Sequence, residues 1–437
     1  MGLGRFGGGV GAARFAAAQG ASVLVTDMAS PEALARSVAA LAGQPIEWRL
    51  GEHRVEDFAQ ADQVVVNPAV DRRDNRFLQA AVDGGARLTS EIQWLAARLP
   101  NRERTIGVTG SAGKSTVTAM IGHVLARALG ADRVHVGGNL GGSLLESLPA
   151  IRRDDWVVLE LSSFMLEALD ENRWSPGVAV VTNIAPNHLD RHGSMESYVA
   201  AKQVILAHQK EGDKAVLGAS VRAWEAAKGV RKRVIEEHEY ELELLVPGRH
   251  NRFNAMLALT VAEEISIGGG HLLKSLADFR GLPHRLQLVA ERGGVRCFDD
   301  SKSTTPQSAT LAIESFNPGC VHAILGGFDK GSDLAPLAGL AATRCRALYT
   351  IGATGDAIAV AAEAADGVAD VVGCATLDTA VAEAAKRLRP GDVLLLSPSC
   401  ASWDQFENYE QRGAAFVAAV NEILLPLGEI GTTNEHE

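Results

Sequence analysis

Thr105-Ile106-Gly107-Val108-Thr109-Gly110-Ser111-Ala112-Gly113-Lys114-Ser115-Thr116 is a β-branched run that breaks into glycines and then into a helical pattern. Val117, Met120, Ile121, Val124, Leu125 and Ala128 recur along one face of that helix. A strand, a glycine-rich loop and a helix in this order belong to a parallel α/β layer, and they aim backbone N–H groups and a positive helix end at an anion. Gly-Lys-Ser at such a junction predicts a phosphate cradle. Gly110, Ser111 and Gly113 shape the loop, Lys114 neutralises phosphoryl charge, Ser115 reaches Mg²⁺, and Thr116 continues the helix. The loop is a shortened one, because Val108 stands where the longer form has glycine. An ordinary glycine turn ahead of a helix is the competing reading.

The same rhythm extends to both ends of the chain. Residues 22–26, 63–66, 156–159, 178–182 and 393–396 are short apolar runs alternating with Ala/Leu-rich amphipathic stretches, so the predicted fold class is α/β with parallel sheets. At roughly 150 residues per domain, 437 residues suggest about three domains. Breaks at residues 88–101 and at Gly281-Leu282-Pro283, where proline disfavours helix in the residue before it, give units of 1–91, 92–281 and 282–437. The polar stretch 428–437 reads as a frayed tail.

Composition narrows the function. A formal charge of −11 is the wrong sign for a protein whose whole surface grips nucleic acid or an anionic membrane, although local cations still suffice for a small anion. Cys297, Cys320, Cys345, Cys374 and Cys400 are odd in number and widely spaced, which suggests neither a disulfide framework nor a CxxC metal knuckle. No signal-like segment and no run of about 18 apolar residues is found, so a cytoplasmic, soluble chain is expected.

Several further residues fall at predicted strand ends, where α/β proteins bind ligands. Glu160 closes the run Trp156-Val157-Val158-Leu159 and is placed to hold a magnesium ion. His188 lies in the polar loop from Thr182 to His192. Lys202 shares an apolar helical stripe with Val199 and Leu206; it either snorkels to solvent or is buried, and burial would lower its pKa and make a neutral amine available. The opening Gly2-Leu3-Gly4-Arg5-Phe6-Gly7 has dinucleotide-loop spacing, with Asp27 ending a strand where a ribose-binding acid would sit. No strand precedes Gly2, so either the sequence starts late or the first sheet lacks its central strand; a late start is the preferred expectation. Four turn-rich loops follow in the last third: Gly281 to Arg285, Asp299 to Thr304, Gly326 to Gly331 and Leu396 to Phe406. Each alone reads as a solvated loop. Together they suggest a domain that closes over a carboxylate-bearing substrate and a nucleotide.

The order of these segments resembles the Mur ligase family over essentially the whole chain. The resemblance rests on the loop 109–116, Gly137-Gly-Asn-Leu-Gly141, Glu160-Leu-Ser-Ser-Phe-Met-Leu-Glu167, Asn187-His-Leu-Asp-Arg191 and Ala200-Ala-Lys202. It continues through Gly248-Arg-His-Asn-Arg-Phe-Asn254, Gly281-Leu-Pro-His-Arg285, Asp300-Ser-Lys302, Gly326-Gly-Phe-Asp-Lys330 and Leu396-Ser-Pro-Ser-Cys-Ala-Ser402.

The resemblance implies an N-terminal Rossmann-like unit for a UDP-sugar, a central phosphate-loop ATPase and a C-terminal Rossmann-like unit for the amino acid. The implied activity is ATP-dependent ligation of glutamate, in its D form, to UDP-N-acetylmuramoyl-L-alanine through an acyl phosphate, a cytoplasmic step of peptidoglycan precursor synthesis. By matching position, Gly110, Ser111, Gly113, Lys114, Ser115, Thr116, Asn251, Asn254, Arg285 and Asp300 are implied ATP contacts. Ser115, Glu160, His188 and Lys202 are implied to serve two Mg²⁺ ions, with Lys202 as a carbamate, and Lys114, Glu160, His188 and Lys202 form the catalytic set. Gly4, Arg5, Phe6, Asp27, Asn139 and His188 are assigned to the UDP-sugar, and Lys302, Thr304, Lys330, Ser402, Trp403 and Tyr409 to glutamate. Small-molecule partners, no nucleic acid, no membrane and a monomer are expected.

Three departures from the family pattern stand out: Ala112 where asparagine is usual, Asp27-Met28-Ala29 without the hydroxyl and basic group often found there, and the absent first strand. The competing functions are a sister ligase using another amino acid such as L-glutamate, an NAD-dependent oxidoreductase resting on Gly2, Gly4, Gly7 and Asp27, and a regulatory NTPase.

Overall fold

The computed structural model describes residues 1–4, 7–236, 238, 241–268 and 272–424. The predicted site residues Arg5 and Phe6 and the tail 428–437 lie outside the described residues. The chain forms an α/β fold of two compact units. Residues 1–238 with 253–276 make the first, and residues 239–252 with those from 277 onward make the second.

The first unit begins with two separate parallel pairs. One is β1 (Val23–Asp27) with β2 (Ile46–Leu50), and the other is β3 (Gln63–Val65) with β4 (Arg87–Thr89). Its main sheet holds β5 (Thr105–Thr109), β6 (Val134–Gly138), β7 (Trp156–Glu160), β8 (Val178–Val181), β9 (Lys214–Gly218) and β10 (Arg231–Ile235), in the spatial order β10-β9-β8-β5-β7-β6. All neighbours in it are parallel. β5, β7 and β8 are buried along their whole length, which is why their sequences are continuous apolar runs and not alternating ones. In the helix Lys114–Leu129, Val117, Met120, Ile121, Val124 and Leu125 are fully buried, each worth roughly 1.5–3 kcal/mol against exposure. Ala128, expected on the same face, is exposed in the last turn.

Register decides what these strands deliver. Val108 of β5 pairs with Glu160 of β7, and Thr109 pairs with Val181 of β8. The loop after β5, the carboxylate ending β7 and the polar segment after β8 therefore emerge side by side at the carboxyl edge, where open α/β sheets bind ligands.

The second unit repeats the logic. β11 (Gln287–Arg292), β12 (Val295–Asp299), β13 (Val321–Gly326), β14 (Ala347–Ile351), β15 (Asp370–Ala375) and β16 (Val393–Leu396) form one sheet in the order β11-β12-β16-β13-β14-β15. β11 is an antiparallel flap on a parallel sheet. β12, β16 and β13 are neighbours, so the loops opening at Asp300, Ser397 and Gly327 share one edge. Among the described residues no helix is long and apolar enough to cross a membrane, and the five cysteines carry free thiols.

Candidate active site

The loop after β5 is shaped by two glycines that no other residue replaces without strain. Gly110 has φ +143°, and a Cβ there would stand 2.0 Å from Thr182 Oγ1; Gly113 has φ +80°, with its Cβ position 2.7 Å from Asn254 Oδ1. The rest of the loop is tied to the segment after β8. Ser111 N–H donates to Asn183 O (3.0 Å), Ala112 N–H donates to Asn183 Oδ1 (3.0 Å), and Thr182 Oγ1 and Asn183 Nδ2 both donate to Ala112 O (2.6 and 3.0 Å). The side chain at position 112 is thus dispensable to the loop, since its backbone is already held at both ends. Ser111 Oγ donates to Ala185 O (2.8 Å) and meets Tyr198 Oη (3.1 Å), so this hydroxyl braces the loop. Lys114 Nζ donates to Ser111 O at 3.1 Å. Ser115 and Thr116 occupy the first helical turn behind it.

Glu160 has a divided carboxylate. Oε1 accepts from Asn139 Nδ2 at 2.9 Å, while Oε2 is buried with no hydrogen-bond partner. An orphaned buried carboxylate oxygen is costly unless a cation or donor completes it. A hard divalent cation suits that donor, and the residues at this edge fit Mg²⁺: one carboxylate and one hydroxyl, Ser115, with phosphate oxygens and water for the remainder. Among the described residues no cluster of three or more His, Cys, Asp or Glu forms an all-protein metal cage.

Lys202 is buried and does not snorkel. Only 2% of it is exposed; Nζ donates to Thr109 Oγ1 at 3.3 Å and lies 4.8 Å from the Tyr198 ring centroid. Desolvation, reinforced by Lys114 and opposed by Glu160, pulls its pKa down to about 7. His188 sits at φ +52°, in the left-handed region that a histidine enters only at a cost, with its ring 5.6 Å from that of Phe164. Gly4, Lys114, Asn139, His188 and Lys202 line a single cavity of about 1260 Å³. Asp27 is committed to backbone: its two oxygens accept from Gly4 N–H (3.1 Å) and Ala29 N–H (2.9 Å), which holds the glycine-rich opening turn in place.

Asn254 and Asn251 are both buried on the helix Arg249–Glu264. Asn254 packs against Gly113 in the first unit, and Asn251, in the second, donates from Nδ2 to Pro247 O at 2.7 Å. Arg285 is exposed. Asp300 is buried: its carboxylate accepts from Leu286 N–H (3.1 Å) and Ser397 Oγ (2.8 Å), and burial pushes its pKa up to about 7 despite those bonds. The unfolded chain ionises this group near 4, so its contribution to stability is present at low pH and lost as pH rises toward 7. Asp300→Asn, which keeps the shape, is expected to unfold at a higher temperature than wild type at pH 8, with the gap narrowing by pH 5 in calorimetric scans.

Lys302 Nζ lies 5.1 Å from the Tyr409 ring centroid, and Lys330 Nζ lies 5.0 Å from that of Trp403, which also packs on Phe328. Trp403 is 62% exposed, whereas Ser402 is buried. Thr304 is half-buried just ahead of the cap of the helix Pro306–Glu314. The structure therefore groups these residues as two cation–aromatic pairs, Lys302 with Tyr409 and Lys330 with Trp403. A cavity of about 450 Å³ beside β14 and β15 is lined by Thr350, Asp356, Asp404 and neighbouring glycines and includes none of the predicted glutamate residues.

Two sets of residues have roles that the sequence pattern does not state. Thr182 and Asn183 support the phosphate loop from about 70 positions away. Arg412, fully buried on the helix Tyr409–Leu424, donates from Nε to Ser301 Oγ (3.0 Å), from Nη2 to Ser301 O (2.8 Å) and Cys400 O (3.1 Å), and from Nη1 to Ala401 O (3.2 Å). It thereby clamps two of the strand-end loops together. Burial draws its pKa down to about 10.

Fold and site geometry define an α/β protein with a strand, glycine loop and helix at the centre of a parallel sheet and a buried lysine and orphaned carboxylate beside it. The chain belongs to the Mur ligase family: residues 108–233 match the Mur ligase middle domain, and residues 284–400 match the Mur ligase glutamate ligase domain. It is 40% identical to the UDP-N-acetylmuramoylalanine–D-glutamate ligase of Acidobacterium capsulatum over 95% of this chain and 94% of that one. It is 38% identical to the protein of the same name from a Roseiflexus species, over 95% and 96%. Among solved structures it resembles the UDP-N-acetylmuramate-alanine ligase of Thermotoga maritima (TM-score 0.59, 21% identity, 96% and 98% of the two chains). It also resembles a MurF ligase of that organism in complex with ADP (TM-score 0.56, 19% identity, 85% and 100%). At such identities these two structures speak to the fold.

Proposed function

We propose that the protein is an ATP-dependent ligase that joins D-glutamate to UDP-N-acetylmuramoyl-L-alanine, a cytoplasmic step of peptidoglycan precursor synthesis. The carrying observation is the match, along 95% of this chain, to relatives named for that reaction. The three modules proposed are 1–91 for the UDP-sugar, 92–281 for ATP and 282–437 for the amino acid. A carboxylate is a poor acyl donor, so an oxygen of the L-alanine carboxylate first attacks the γ-phosphorus of ATP; the bond to the bridging oxygen breaks and ADP leaves. The amine of glutamate then attacks the acyl carbon, a proton departs from nitrogen, and inorganic phosphate leaves as the amide forms.

The attacking carboxylate and the γ-phosphoryl group it approaches are both negative, which defines the work of the residues at the sheet edge. Lys114 and the amides of the helix N-terminus stabilise charge on the transferring group. Glu160 and Ser115, with His188 and a carbamylated Lys202 at a second position, would hold Mg²⁺, which supplies charge neutralisation across the phosphates. Asn139 fixes Glu160 and faces the UDP-sugar with Gly4. Asn254 supports the loop glycine. In the second unit Asn251, Arg285 and Asp300 are assigned to the nucleotide. Lys302, Thr304, Lys330, Ser402, Trp403 and Tyr409 are assigned to glutamate, the lysines meeting its carboxylates.

The deciding experiment follows phosphate release with UDP-N-acetylmuramoyl-L-alanine, ATP, Mg²⁺ and a panel of amino acids. D-Glutamate alone should drive turnover. Turnover with L-glutamate or another acceptor instead would mark a sister ligase, and turnover without any amino acid would mark an NTPase.

Arg412 is a positioning residue for the amino-acid loops. Arg412→Lys keeps a buried cation but loses the fork that reaches three carbonyls. It is expected to raise the glutamate KM about tenfold or more while leaving the KM for ATP and the UDP-sugar within about twofold, on the order of the cost of two lost buried hydrogen bonds. A parallel rise in all three would point to general unfolding.

A further inference from the structure

His188 hangs on a segment with two anchors. At one end Ala185 is pinned to the phosphate loop, its N–H donating to Ser111 Oγ (2.9 Å) and its carbonyl accepting from the same hydroxyl (2.8 Å). Residues 185–190 are then all exposed, and His188 takes the left-handed turn that opens the one-turn helix Leu189–His192. A helix of four residues, with no side chain capping its start, is far below the length of about 12–15 residues that holds itself in water. Its place must be set from outside.

The second anchor is His192. Its side chain is 2% exposed although the residues ahead of it face solvent, and its ring is stacked on Phe164, with centroids 5.0 Å apart and an interplanar angle of 6°. Nδ1 lies 3.3 Å from Glu167 Oε1, and a carboxylate there favours the tautomer protonated at that nitrogen; Nε2 then accepts from Ser163 Oγ at 2.8 Å. Ser163 is a fixed post. It is buried as the first residue of the helix Ser163–Glu171, just beyond Glu160. Leu161, between the two, is tied to β5 twice: its N–H donates to Val108 O (2.8 Å) and its carbonyl accepts from Thr109 Oγ1 (2.7 Å). The chain leaving β7 is therefore held from Glu160 to Ser163, and His192 moors the exposed segment to it. Phe164 is common ground for that segment, since it also takes the Arg191 guanidinium 5.0 Å from its centroid and meets the His188 ring at 5.6 Å.

We infer that His192 is a positioning residue for His188: its hydrogen bond with Ser163 fixes the turn that carries His188 against the strand end that carries Glu160. This role presupposes the ligase reading of the cavity. Without the mooring the turn keeps its own backbone bonds, from Arg191 and His192 N–H to His188 O and from Gly193 N–H to Leu189 O, but it is free to drift from Glu160. Drift of this kind costs turnover more than binding, because a misplacement of about 1 Å is worth about a hundredfold in rate.

The test uses the full chain in four variant forms. His192→Phe keeps the stack and loses both polar contacts, and His192→Gln keeps a hydrogen-bonding group at the place of Nε2. Ser163→Ala removes the other partner, alone and combined with His192→Phe. His192→Phe should lower kcat about tenfold or more while the KM values for ATP and glutamate stay within about twofold. His192→Gln should keep about a third or more of the wild-type kcat. Ser163→Ala should match His192→Phe, and the double variant should cost no more than about twofold beyond either, because both remove one interaction. Hydrogen exchange at the amides of Arg191, His192 and Gly193 should quicken about fivefold or more in His192→Phe and in Ser163→Ala, with the amides of β5 and β7 unchanged.

Additive losses at the two sites, a His192→Gln no better than His192→Phe, or a His192→Phe with kcat within about twofold of wild type would each overturn the inference. So would faster exchange throughout β5 and β7, which marks a loosened unit and not a loosened turn. Exchange requires no substrate. A wild type that turns over none of the proposed substrates therefore sinks the ligase reading, whereas unchanged exchange at residues 191–193 sinks the mooring by itself.

Discussion

Lys114→Ala is expected to retain no more than about one hundredth of wild-type turnover, with the unfolding midpoint unchanged. The lysine follows the left-handed Gly113 at the start of its helix, its ammonium donates to Ser111 O at 3.1 Å, and it lines the same cavity as Lys202 and His188. A preorganised cation at a developing phosphoryl charge is worth about 3 kcal/mol or more, and each 1.36 kcal/mol is about tenfold in rate. A second signature separates loss of this charge from general damage. Lys114 is one of the groups that depress the Lys202 pKa, so its removal should move the residual pH profile to higher pH. A mutant with most of its turnover would remove Lys114 from the proposed mechanism.

The legible and illegible parts of this molecule divide by the range of the interaction. Gly110 and Gly113 are readable because positive φ and close backbone approach demand glycine locally, and Glu160 because its carboxylate closes an apolar strand in a chain that also carries a phosphate loop. The apolar stripe shared by Val199, Lys202 and Leu206 left open whether the lysine reached water; burial of Tyr198, Val204, Ile205 and Leu206 around it closes that route. Thr182 and Asn183 carried no signal as loop supports, because the contact they make depends on β5 and β8 being neighbours, which local pattern does not state. Arg412 is hidden for a related reason: one cation in an Ala-rich amphipathic helix looks solvated, and only the meeting of the loops from β12 and β16 supplies the carbonyls that it binds. Of eight non-glycine residues with positive φ among the described residues, His188, His284 and Ser399 fall in the motif loops, where strain is tolerated for positioning.

Lys202→Ala should lower turnover about a hundredfold or more and regain part of it with formate or acetate. The argument begins with the neutral amine. With a pKa near 7, Lys202 is largely unprotonated at pH 8, although an exposed lysine would be almost wholly charged there. Its nitrogen lone pair can then add to the carbon of CO₂; the N–C bond forms, the nitrogen loses a proton to solvent, and a cationic side chain becomes an anionic head able to bind a metal ion. Wild-type activity should accordingly fall when CO₂ is stripped from the buffer, and fall further at pH 6 than at pH 8, because protonation removes the nucleophile. Stability gives an independent reading with a fixed sign. The unfolded chain holds a proton on this lysine up to about pH 10, whereas the folded chain releases it near 7, so stability rises with pH across that window. Lys202→Met, which needs no charge in the apolar site, should unfold at a higher temperature than wild type at pH 7, with the difference shrinking as the pH approaches 10. No rescue by carboxylic acids, together with indifference to CO₂, would remove the carbamate while leaving the ligase assignment standing on Lys114 and Glu160.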